Sequence, residues 1–186
     1  MGLNDQPKMQ SEGGETGRHS QRLAFASVFG VLIFLSKTVI PTPVDKVAVL
    51  FQALLLTLGA LATRPLGATL ASGVGGLLTA LWRAPFAPFT LCFALLYGLM
   101  IDATFALLRV RSPQGVRTRR LVFAVTLSTT VVGLMSYYVT SIALQVLPRS
   151  LVLELAVLVG GIVSGLVGGY LAALLWKDGL RYVKGM

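Results

Sequence analysis

The chain has 186 residues, of which 55% are hydrophobic and 12% charged, and its mean hydropathy is +0.79. A soluble globular domain does not carry that composition, so lipid is the expected solvent for most of the chain. The net charge of +9 does not point to nucleic acid, because the basic residues stand at the ends of apolar runs and not in a patch interleaved with exposed aromatics.

Residues Met1 to Gln21 are polar, Gly-containing and without hydrophobic periodicity, which reads as a disordered cytoplasmic tail. Arg22 then leads into a first apolar span that ends at Pro41. No cleavage site of the secretory kind follows it, so this helix is expected to be retained. Further spans follow at about Val44 to Ala62, Leu66 to Trp82, Pro88 to Leu108, Leu121 to Leu147 and Leu151 to Trp176. The breaks between them are Pro41 to Pro43, Arg64-Pro65, Arg83 to Pro85, the basic loop Arg109 to Arg120, and Pro148 to Ser150. A bilayer core of roughly 30 Å takes about 20 helical residues per crossing, and residues 22–186 accommodate six. The fold class is therefore an all-α integral membrane bundle of six transmembrane helices, forming one domain.

Sidedness follows from the sixteen Lys and Arg residues. With the N-terminus inside, twelve fall on the cytoplasmic side, including Arg109, Arg111, Arg117, Arg119 and Arg120, three fall outside, and Lys37 lies within the first span. Both termini are thus expected in the cytoplasm. The single cysteine, Cys92, excludes an intrachain disulfide and a thiolate metal cluster.

Small residues at four-residue spacing let membrane helices approach closely. Gly161, Gly165 and Gly169 form one such line, with Gly160, Ser164 and Gly168 beside it; the third span offers Gly67, Ala71 and Gly75. Packing within the bundle is the expected use of these seams. The seam of Ala26 and Gly30 on the first span is the expected exception, facing a partner protein.

With six helices, an N-in topology and the Ala26 to Gly30 seam, the chain resembles the substrate-capture (S) subunits of energy-coupling factor vitamin importers. The stretch ALATRPLGATLASGVGGLLTAL, Ala60 to Leu81, looks like that family's second-to-third helix passage. The fourth span, APFAPFTLCFALLYGLMIDATFAL from Ala84 to Leu107, is similar to the branch importing thiamine precursors such as hydroxymethylpyrimidine, through Pro85-Phe86, Gly98-Leu99, Asp102 and Phe105 to Leu107. Where that branch carries a glutamate after GLxx, this chain has Asp102. The resemblance implies a prokaryotic plasma-membrane protein that binds a vitamin or precursor near its outer face. Its implied partners are a transmembrane scaffold subunit, met through Ala26 and Gly30, and two cytoplasmic ATPase subunits. No cofactor is implied, and the chain has no G-x-x-x-x-G-K-[ST] stretch to hold ATP itself.

Ionisable residues within spans cost at least a few kcal/mol and invite a functional reading. Glu154, about a turn below the outer end of the last helix, is the leading ligand contact; otherwise it is a helix-start carboxylate facing water or Arg149. Lys37 either snorkels outward near Pro41 or reaches the pocket. Asp102 lies roughly 20 Å below the outer end of its span, so it forms the pocket floor or pairs with Arg64 or the basic loop. Tyr97, Tyr137 and Tyr138 are candidates to stack on a flat heterocycle, with at most one of the adjacent pair facing the pocket. Gln52 and Gln145 add hydrogen-bonding capacity, while Trp82 and Trp176 suit interfacial anchoring.

Two other functions fit the composition. A stand-alone carrier or structural membrane partner needs no ATPases. An intramembrane enzyme needs a nucleophile and base or a metal site, but the only histidine, His19, lies in the tail, so neither a His-based triad nor a multi-histidine site is available. A metal-importing relative would carry a histidine close to its first methionine, where this chain has Gly2.

Overall fold

The computed structural model describes residues 12–39, 45–63, 66–82, 87–112, 115–143, 145 and 150–179. They form six helices: α1 (Glu12–Val39), α2 (Asp45–Ala62), α3 (Gly67–Trp82), α4 (Ala87–Leu107), α5 (Thr118–Tyr138) and α6 (Leu151–Asp178). Four apolar segments are long enough to cross a membrane, Ser20–Thr38, Ala87–Leu107, Thr118–Ile142 and Leu151–Asp178; Val49–Ala62 and Gly67–Trp82 are shorter. The expected breaks at Pro41 to Pro43, Arg64-Pro65, Arg83 to Pro85 and Pro148-Arg149 lie outside the described residues.

Three boundaries depart from expectation. Helix α1 starts at Glu12, so residues 12–21 of the expected tail are helical. Once the apolar segment has nucleated a helix, upstream residues join it at little cost, and Gly13 and Gly14 do not stop it. Helix α5 passes at Val139 into a short π-helical stretch, Val139–Ala143, so it ends before the expected Leu147. Gln145 follows with a left-handed φ of 51°. In the basic loop, Arg111–Ser112 (β1) pairs antiparallel with Gly115–Val116 (β2), and Gly115 takes a φ of 126° that favours glycine.

The helices close a ring in the order α1, α3, α4, α5, α6, α2, and α2 also touches α3, α4 and α5. One of the shorter helices is therefore the central one, in contact with all five others. Its Ala53, Leu56, Ala60 and Leu61 join Ile33, Ala68, Ile101, Leu121 and Val125 in the core.

Small residues set the helix separations, as expected where lipid competes equally for leucine. A Cβ at Gly165 would lie 2.5 Å from Thr126 Cα, one at Gly161 3.1 Å from Thr130 Cα, and one at Gly169 3.2 Å from Val122 Cα, so this line seats α6 on α5. Gly168, on the adjacent line, meets Ala53 and the Leu50 carbonyl of α2. The Ala26 to Gly30 seam, expected to face a partner, is closed inside the chain: Ala26 is 1% exposed, and a Cβ at Gly30 would lie 2.7 Å from Val74 Cβ on α3.

Hydroxyls are buried among the apolar core side chains, and the outer face is apolar as well. Thr57, Ser72, Ser128 and Thr129 are buried, while Leu155, Val159, Val163, Leu166 and Tyr170 are exposed along α6. In water that outer face would be a large aggregation-prone patch; in hydrocarbon it is solvated. The buried hydroxyls bond backbone carbonyls a turn back, Thr57 to Ala53 at 2.6 Å and Thr129 to Val125 at 2.8 Å.

Candidate functional site

At the end of the bundle away from the basic loop, the π-helical turn after α5 brings its last tyrosines against the start of α6. Ser150 caps α6 by accepting from Leu153 N–H at 3.2 Å, which places Glu154 in the first turn. The Tyr138 hydroxyl donates to Glu154 Oε1. Tyr137, buried, donates its hydroxyl to the Ser150 carbonyl at 3.2 Å, and its ring meets that of Tyr138 edge-on with centroids 5.6 Å apart. The adjacent tyrosines do face different ways, and Tyr138 is the exposed one. This group offers an aromatic face beside a carboxylate whose second oxygen has acceptor capacity of its own.

The other sequence candidates lie elsewhere. Tyr97 is buried between α4 and α5, its hydroxyl 2.8 Å from Thr129 Oγ1. Gln52 is buried on α2, and Lys37 is half-buried in the last turn of α1. Gln145 is exposed in the segment before α6.

Asp102 is at the basic end, and its partners are two backbone amides and one hydroxyl of α3. Its carboxylate accepts from Thr69 N–H at 2.8 Å, Thr69 Oγ1 at 2.7 Å and Ala68 N–H at 3.3 Å, all in the first turn of α3. A helix start leaves N–H groups without intrahelical acceptors, and a carboxylate there also meets the positive end of the helix dipole. The close approach that permits this comes at Gly98, where a Cβ would collide with Ser72 and the Ala68 carbonyl. Arg111, absent from the sequence candidates, acts in the complementary sense by donating to the Ala60 carbonyl near the end of α2. An acid from α4 and a base from β1 thus bracket the passage from α2 to α3. Pro113-Gln114-Gly115 was the available sequence signal for the hairpin that returns Arg111 to α2.

Beside this bracket lies an open cleft of about 600 Å³ lined by Ala60, Thr63, Leu66, Leu99, Asp102, Ala103, Phe105, Ala106, Arg109 and Arg111. Its described lining is mainly apolar, with Arg109 and Arg111 as its cations.

Fold and surface define an integral membrane protein of the multi-pass helical class. Comparison with family models, with curated proteins and with solved structures finds no match to this chain.

Proposed function

We propose that the chain is a membrane-embedded substrate-capture subunit of an ATP-driven importer of the energy-coupling factor kind, binding a small flat nitrogen heterocycle and leaving ATP hydrolysis to other subunits. The observation that carries this reading is the meeting of Tyr138 and Glu154 across α5 and α6. Such a pair suits an aminopyrimidine: the ring stacks on the phenol, and the exocyclic amine, joined by a ring N–H when the pyrimidine is protonated, donates to the carboxylate. The six-helix bundle and the sequence resemblance of Ala60 to Leu107 support the same reading.

Calorimetry with thiamine and with hydroxymethylpyrimidine on the purified chain and on Glu154→Gln tests it. A charge-assisted hydrogen bond contributes roughly 1.5 to 3 kcal/mol, so the variant should bind about ten- to a hundredfold more weakly. Equal binding removes Glu154 as the acceptor. Absence of micromolar binding of either compound to the folded parent removes the thiamine-precursor assignment.

The burial of Ala26 and Gly30 within the chain favours a second reading, a stand-alone carrier, because the seam proposed for the scaffold is already occupied by α3. Copurification of ATPase subunits with the tagged full-length chain separates the two.

A further inference from the structure

We propose that the cleft at the basic end is a binding site for an anionic glycerophospholipid, with its phosphate at Arg109 and Arg111 and an acyl chain along α4. This inference is independent of the Tyr138 and Glu154 site, which lies at the other end of the bundle.

Leu99, Ala103 and Ala106 fall at i, i+4 and i+7 and so occupy one face of α4. All three are exposed, Leu99 at 51%. The two alanines make this face a trough where leucines would fill it, and Leu66, just before α3, lines the same cleft. The trough leads along α4 to Arg109, which ends the helix in a left-handed conformation with φ of 47° and is exposed. That reversal turns the chain into the hairpin, and the hairpin sets the Arg111 guanidinium on the same cleft.

An apolar trough beside the exposed Arg109, with Arg111 adding the charge of a guanidinium already anchored to the Ala60 carbonyl, matches an amphiphile with an anionic head. Asp102, the one acid among the described lining residues, spends its charge on three donors of α3, so its repulsion of an anion is offset by the helix end it caps. Arg117, Arg119 and Arg120 stand exposed on the hairpin and the first turn of α5, extending the positive field. The charge count places this end in the cytoplasm, where anionic lipids concentrate and basic pockets between helices hold their headgroups.

The test uses the full-length chain, delipidated in neutral detergent and titrated with phosphatidylglycerol, phosphatidylcholine or inorganic phosphate. Bound lipid is read by native mass spectrometry and the melting temperature is followed in parallel. Phosphatidylglycerol should bind at least about tenfold more tightly than phosphatidylcholine. Arg109→Gln should weaken it by a single cation's share, about fivefold, and Arg109→Lys should restore most of that loss. Ala106→Phe keeps every charge but fills the trough; displacing two methylenes should weaken binding about tenfold. Both sites face outward, so the lipid-free melting temperature should stay that of the parent. Equal binding of the two lipids overturns the proposal, as does parental affinity in both Arg109→Gln and Ala106→Phe. A melting shift reproduced by inorganic phosphate alone, and untouched by Ala106→Phe, also overturns it in favour of a soluble anion.

Discussion

Asp102 on α4 closes the start of α3 by binding Thr69 twice, at its amide (2.8 Å) and at its hydroxyl (2.7 Å). The same carboxylate reaches the Ala68 amide, so two N–H groups that the helix cannot satisfy itself are taken up from a neighbouring helix. Asp102→Ala should destabilise the protein by about 2 kcal/mol, the range of a lost cap with a charge-assisted bond. Asp102→Asn keeps an acceptor oxygen and should cost about half as much. Reversible unfolding in mixed micelles measures both; an unchanged Asp102→Ala would show that the cap does not hold α3.

The two glycine lines of α6 should respond oppositely to one methyl group. Gly165→Ala places a Cβ 2.5 Å from Thr126 Cα, a backbone atom that moves only if α5 moves, and should cost about 1 to 3 kcal/mol. Gly160 has no atom within 4 Å of its would-be Cβ. There Gly160→Ala should be neutral or raise stability by up to about 1 kcal/mol through helix propensity. Similar losses in both variants would mean that Gly165 does not set the α5 to α6 separation.

The contrast between those glycines marks what the sequence could and could not convey. Hydropathy located all six helices, and four-residue spacing identified Gly161, Gly165 and Gly169 as a packing line. Spacing does not say which helix a seam meets, so Ala26 and Gly30, expected to face a partner, turn out to meet α3. The centrality of α2 was equally hidden, because a helix apolar all round reads alike whether lipid or protein surrounds it. Asp102 was expected, as an ionisable group within a span, to form the pocket floor or to pair with Arg64 or the basic loop. Its partners are two backbone N–H groups, which carry no residue signature, and the Thr69 hydroxyl, whereas Tyr138 and Glu154 were singled out by their side-chain chemistry and do lie within hydrogen-bonding reach of each other.

Sidedness is testable at the hairpin. In a Cys92→Ser background, Thr118→Cys introduces one thiol at an exposed position beside Arg117, Arg119 and Arg120 without removing a charge. A membrane-impermeant maleimide should label it in inverted vesicles and leave it unlabelled in intact cells if the positive-inside bias of these arginines sets the topology. Labelling in intact cells would invert the topology and put the lipid cleft in the outer leaflet.

The α4 to α5 contact allows a prediction about direction in a hydrogen bond. The Thr129 hydroxyl has one hydrogen, and it is donated to the Val125 carbonyl at 2.8 Å. The 2.8 Å bond between Tyr97 and Thr129 must therefore run from the phenol to the threonine oxygen. Removing the phenol hydroxyl in Tyr97→Phe leaves Thr129 with its donor still satisfied and only a lone pair unused, a loss of about 0.6 kcal/mol, typical of hydrogen bonds between membrane helices. Removing the threonine hydroxyl in Thr129→Val preserves shape but strands a buried phenol O–H, with a penalty of about 1 to 3 kcal/mol. Tyr97 is only 5% exposed, so water does not readily replace the lost acceptor. The double variant should recover part of the Thr129→Val loss, since no donor is then stranded. Unfolding of the three variants in mixed micelles decides the matter: a larger loss for Tyr97→Phe than for Thr129→Val would reverse the assigned direction, and strict additivity would mean that the two hydroxyls do not interact.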